Sequence, residues 1–256
     1  MNSEDQDEQT TAAATETNRI PPFTLMMLLA WVAICAVLFE FWRQTGLMGR
    51  EVLWQSLMGM QLATWSAGLS GLGLRAWWWQ QGRRIPWQPG HWLLCLVGFV
   101  GLVPILTKLL QLFFWQVDPL PASTGLWLQE NVRLILSVAS ILAMWGVVWF
   151  ASLPRVWAIV VLPEAITRSF SLGMQIYVVF NGTSQFPFGS DVTMALTWIL
   201  GVIALAGPLL ILIVPLWDAF ISKQERDWMH WTGVAAWGLL ILQPYLMTIV
   251  WLTSRQ

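Results

Sequence analysis

Charge is scarce in this chain. Of 256 residues, 13 are lysine or arginine and 14 are aspartate or glutamate, 11% in all, where a soluble domain carries about 25%. A water-soluble fold of this length could not cover its surface with so few charges, so water is not the solvent for most of it. The formal net charge is −1, which excludes the basic excess that draws proteins to nucleic acid. Cysteine and histidine are nearly missing, at two each. Cys35 and Cys95 both sit in apolar runs and read as small core residues rather than a disulfide or a metal pair. There is no H-E-x-x-H zinc helix, no phosphate-binding glycine loop and no close carboxylate pair. No cofactor or metal is expected.

Apolar residues are abundant instead, at 57%, and 20 of the residues are tryptophan. An indole has an apolar body and a single N–H, which suits a membrane–water boundary. A membrane-crossing helix needs roughly 20 apolar residues. Six runs meet this readily: 23–42, 53–74, 92–115, 132–150, 192–217 and 229–252. Tryptophans mark many of their ends, and Pro/Gly/Asn turns join them, as at Pro86-Trp87-Gln88-Pro89-Gly90. Residues 1–20 differ: Glu4, Asp5, Asp7, Glu8 and Glu16 sit among Thr, Ala and Gln, and a disordered acidic tail is expected. The tail has no basic segment of the kind that opens a signal peptide, so the first apolar run is expected to stay in the mature protein. The fold class is therefore an all-α integral membrane protein, a polytopic bundle of about seven helices over residues 21–256.

The seventh segment, 156–180, is the contested one, because it holds Pro163, Glu164 and Arg168. A charge at mid-bilayer costs about 3 kcal/mol on insertion scales. Charge bias gives an independent test. If all seven cross and the N-terminus is cytoplasmic, Arg19, Arg75, Arg83, Arg84, Arg155, Lys223 and Arg226 lie inside, seven in number, against Arg43, Arg50, Arg133 and Arg255, four, outside. The bias is modest but has the expected sign.

Polar residues within the spans are the first candidates for chemistry. Glu164 and Arg168 are four apart and share a helix face. Lys108 lies in the third run, with Gln111 one turn on. These three could line an ion or substrate path, or they could be a structural ion pair and a lysine snorkelling to the surface. Prolines at 104, 163, 208, 215 and 244 interrupt spans, as they do both in transporter sites and in membrane helices generally. Ala63, Ala67 and Gly71, beside Ser66 and Ser70, form a small-residue face for helix–helix contact. His91 and His230 each precede a tryptophan at a span end. They read as membrane anchors, since a bis-histidine haem site would need them facing each other at one depth.

Two short motifs carry a resemblance. Gly68-Leu69-Ser70-Gly71 and His230-Trp231-Thr232-Gly233 resemble the serine and histidine motifs of rhomboid intramembrane proteases, whose buried Ser–His dyad performs acyl transfer. The resemblance implies Ser70 and His230 as the catalytic pair. The chain departs from that pattern in placing four spans between the motifs and His230 at a helix start. The segment from Pro22 to Ala30 is similar to the first span of many bacterial membrane proteins of unknown function, which implies a bacterial inner membrane and no activity.

Three function classes follow, in order. The first is a non-catalytic structural, assembly or lipid-interacting membrane component, whose partners are the bilayer and other membrane subunits. The second is a transporter or channel-like component built around Lys108, Glu164 and Arg168. The third is an intramembrane enzyme using Ser70 and His230.

Overall fold

A computed structural model describes residues 23–44, 52–83, 85–117, 122–151, 154–181, 190–222 and 225–253. The expected acidic tail, 1–20, lies outside them. The described residues form seven α-helices: α1 Leu25–Gln44, α2 Val52–Gln80, α3 Pro89–Val117, α4 Ala122–Phe150, α5 Arg155–Asn181, α6 Ser190–Trp217 and α7 Trp228–Thr253, with a π-helical turn, Asp218–Ser222, after α6. Helices meet the demand of lipid by satisfying every backbone group within the segment. The chain is a helical bundle of the multi-pass membrane type.

Local sequence chemistry sets several ends. Gly82 adopts φ 75°, the left-handed conformation that closes α2. Around it Arg83 N donates to Trp78 O at 3.1 Å and Gly82 N to Trp79 O at 3.0 Å, the paired bonds of a glycine C-cap. Pro89 opens α3 at a first-turn position that needs no N–H donor. The helices run on through Pro104, Pro163, Pro208, Pro215 and Pro244.

Six helices, all but α2, are long and apolar enough to cross a membrane. The segment 156–180, doubted for its charges, qualifies as α5 with a mean hydropathy of 1.2, while 53–74 falls outside the six. The reason lies in α2 itself, where Gln55, Ser56, Gln61, Thr64, Ser66 and Ser70 dilute the apolar residues. That helix is tucked among α1, α3 and α7. α5 also runs from one end of the bundle to the other. Its first turn brings Trp157 to 5.2 Å from the His230 ring at the start of α7, and its residues 171–178 share a cavity wall with residues 127–134 near the start of α4.

The core sits where α2, α3 and α7 meet. α2 and α3 touch backbone to backbone: a Cβ on Gly68 would overlap Gly98 and one on Gly101 would press on the Trp65 ring. The other small face of α2 serves α1, whose Trp31 Nε1 donates to Ser66 Oγ at 2.9 Å and approaches Ala63 O at 3.3 Å. Close approach at small residues is the main packing device in lipid, where no hydrophobic force pulls helices together.

Candidate functional site

The densest polar cluster lies at one end of the bundle, where α3 and α7 begin. Both helices open alike: a polar cap residue, Gln88 or Asp227, is followed three positions later by a histidine and then a tryptophan. Each helix's first turn carries amide donors with no partner of their own. On α7, Asp227 Oδ1 accepts from His230 N at 2.8 Å, an aspartate N-cap. On α3, the Gln88 N–H donates to His91 Nδ1 at 3.2 Å, so the histidine side chain reaches back to the cap.

The two starts also cap each other. His91 Nε2 meets both Asp227 oxygens, at 3.0 and 3.1 Å. Gly90 N donates to His230 Nδ1 at 3.0 Å, and Asp227 N donates to Gln88 Oε1 at 3.3 Å. Glycine makes this possible: a Cβ at Gly90 would overlap the His230 backbone, and one at Gly233 would overlap Gly90 O. Behind them Arg226 grips Asp218 with two bonds, Nε to Oδ2 at 2.8 Å and Nη2 to Oδ1 at 3.0 Å. His91, His230 and Asp218 are almost wholly buried.

Hydrogen bonding assigns the imidazole tautomers. Each Nδ1 accepts a backbone N–H, so each Nε2 carries the hydrogen. That of His91 points to Asp227. That of His230 lies 3.9 Å from Asp218 Oδ2 and makes no hydrogen bond. Neither ring keeps a free lone pair, which a general base requires. Burial pushes the Asp227 carboxyl up, but the hydrogen bonds it accepts from His91 and from the His230 backbone N–H hold it below the usual aspartate value. The arrangement is a clasp between helix ends, and it corrects the expectation that His91 and His230 are interfacial anchors. The histidines do share one depth. Among the described residues, however, no group of three or more His, Cys, Asp or Glu side chains is placed to hold a metal. Cys35 and Cys95 are free thiols.

The remaining sequence candidates are placed as follows. Ser70 Oγ donates to Ser66 O at 2.7 Å, within its own helix, and no hydrogen bond joins it to His230. Arg168 Nε meets Glu164 Oε1 at 2.5 Å along α5, both half-buried. Lys108 Nζ donates to Gln111 Oε1 at 2.7 Å along α3. Lys108 is thus bonded separately from the Glu164–Arg168 pair. Arg168 alone of the three reaches a cavity of about 480 Å³ between helices, beside Gln61, Pro104, Gln243 and Pro244. The Gln243 Nε2 is buried there without an acceptor.

Sequence reasoning missed Asp218, Arg226 and Asp227 as members of the cluster. A signal existed for Asp227: an aspartate directly before an apolar run marks a helix start. Nothing in the sequence ties it to His91. The chain matches no protein-family model, no curated protein and no solved structure.

Proposed function

We propose that the protein is a non-catalytic membrane component, structural or assembly-related, working through its contacts with lipid and with other membrane subunits. The observation that carries this reading is the local pairing of the deepest charges. Glu164 is satisfied by Arg168 and Lys108 by Gln111, each on its own helix, and the two groups do not combine into one path. The two histidines, both buried, serve helix caps rather than standing free as bases. The modest positive bias supports a cytoplasmic N-terminus with the clasp end on the same side. The likeness of the Pro22–Ala30 stretch to bacterial first spans supports a bacterial inner membrane.

The test is complementation of a deletion strain, with folding monitored in parallel. The double variant Glu164→Gln with Arg168→Ala should restore the lost phenotype as fully as wild type. A folded double variant that fails to restore it would sink the scaffold reading.

A second reading, a transporter, has one specific observation in its favour. The cavity lined by Arg168, Gln61 and Gln243 offers donors to a ligand rich in acceptors, next to two helix prolines. Gln243→Leu separates the readings: it abolishes function under transport and leaves it intact under scaffolding.

A further inference from the structure

A second cavity, of about 490 Å³, opens where α2 ends and the chain turns into α3. Arg75, Arg83, Trp78, Trp79 and Trp87 contribute to its wall over an apolar floor that includes Leu72, and no acidic residue lines it. The Arg75 guanidinium lies over the Trp87 ring, 4.0 Å from its centroid, and Trp87 in turn stacks on Trp92 at 4.1 Å. One edge donates through Nη2 to Ile85 O. Stacking occupies the face of the guanidinium, so its edges remain the hydrogen-bonding surface.

Three observations converge on what this pocket takes. First, among the described residues neither Arg75 nor Arg83 forms an ion pair with a carboxylate, while Asp227 and Asp218 nearby are committed to His91 and Arg226. Second, two donors in the wall, Arg75 Nη1 and Trp78 Nε1, are buried with no acceptor, and Trp78 is only 1% exposed. An unsatisfied buried donor is unfavourable, and an incoming oxygen would offset that cost. Third, Trp77 and Trp79 stand outward at 51% and 80% exposure, just beyond the apolar part of α2, where tryptophans mark the headgroup level of a bilayer.

We infer that this pocket binds the phosphate of an anionic phospholipid, its headgroup against Arg75 and Arg83 and its glycerol end over the apolar floor. Guanidinium groups match phosphate oxygens in planar, paired hydrogen bonds. Basic pockets between membrane helices are suited to anionic headgroups. A free phosphate ion shares the oxygen chemistry but would gain nothing from the tryptophan rim or the floor. The inference does not depend on the scaffold reading, since a transporter could hold the same lipid.

The test is native mass spectrometry of the full-length chain released from micelles titrated with phosphatidylglycerol, and separately with phosphatidylcholine. Wild type should retain phosphatidylglycerol in preference to phosphatidylcholine. Arg83→Gln, at an exposed side chain, should weaken phosphatidylglycerol retention about fivefold and Arg75→Gln at least as much, from about 1 kcal/mol per arginine near a membrane surface. Arg133→Gln, on α4 outside this pocket, should leave retention unchanged. If Arg75→Gln fails to fold, Arg83→Gln alone decides. Equal retention of phosphatidylglycerol by wild type and Arg83→Gln overturns the inference. So does an equal loss of both lipids, or displacement of phosphatidylglycerol by equimolar inorganic phosphate.

Discussion

The two halves of the bundle differ in where glycine brings backbones together, although Gly59 and Gly73 on α2 also stand free and Gly207 on α6 touches Ile241. In the α2–α3–α7 half, Gly68, Gly90, Gly98, Gly101 and Gly233 each sit where a Cβ would collide with a neighbouring helix. In the α4–α6 half, Gly146, Gly173 and Gly201 have nothing within 4 Å of that position. The first set lets backbones touch; the second is a bystander. The inner half also carries the clasp, while the outer half meets through side chains, as where Trp145 Nε1 donates to Ser169 Oγ at 3.0 Å. The outer half keeps large apolar side chains on its surface, Trp149, Phe150 and Trp198 among them. One half is fixed by complementarity; the other keeps a broad apolar face on the outside of the bundle.

This contrast breaks most sharply at glycine. Gly68→Leu and Gly233→Val should each destabilise the bundle by about 3 kcal/mol or more, because backbone cannot move aside as a side chain can. Gly146→Leu should be close to neutral. Thermal unfolding in detergent with a tryptophan-fluorescence readout measures all three, and equal losses at Gly68 and Gly146 would erase the distinction.

The clasp comes next. Asp227→Ala removes a helix cap and strips His91 Nε2 of its acceptor, for a loss of about 2–4 kcal/mol. Asp227→Asn should lose less, since one amide oxygen still accepts. Acid probes the same carboxylate. Its pKa is lowered on folding, so its contribution is complete above the ordinary aspartate value of 3.8 and fades as the pH falls from there through the folded value. Melting curves between pH 7 and pH 3 should show wild type losing an increment below about pH 4 that Asp227→Asn never had.

Smaller effects belong to the outer half. Glu164→Gln leaves Arg168 within a span without its charged partner and should cost about 2–3 kcal/mol. Gly146→Ala should gain about 0.5–1 kcal/mol from helix propensity alone. A loss there instead would mean that a neighbour packs against Gly146 in the assembled membrane, and would extend tight packing into the outer half.

The bundle itself was legible from the sequence, because lipid leaves so few options: long apolar runs bounded by tryptophan can only be helices. The contested α5 was harder. Its Glu164 and Arg168 look expensive one at a time, yet four-residue spacing lets each offset the other's cost, and a hydropathy sum cannot express that pairing. The same holds for α2: a hydropathy sum counts Gln61, Thr64 and Ser66 against it, yet they sit between helices, where their polarity does not meet hydrocarbon. The Ala63–Ala67 face was read correctly as a contact surface, but the tightest crossing lies one residue over, at Gly68. The clasp was the least legible feature. His91 and Asp227 are 136 residues apart, and only the folded arrangement brings the two helix starts together. The phosphate pocket was hidden for a similar reason, since its arginines looked like topology markers until Ile85 and Trp87 were seen to fold back over Arg75.

The separation in the clasp has a consequence for synthesis. A chain made from its N-terminus emits α3 long before Asp227 and His230 exist, so the amide of Gly90 and the ring of His91 wait uncapped while α4, α5 and α6 are delivered. α7, the latest of the described helices to leave the ribosome, is the keystone: its arrival completes a helix begun more than a hundred residues earlier. Quality control acting before that moment would meet an open end on α3, and a nonsense mutation ahead of residue 227 would leave every earlier span inserted but the inner half unlatched.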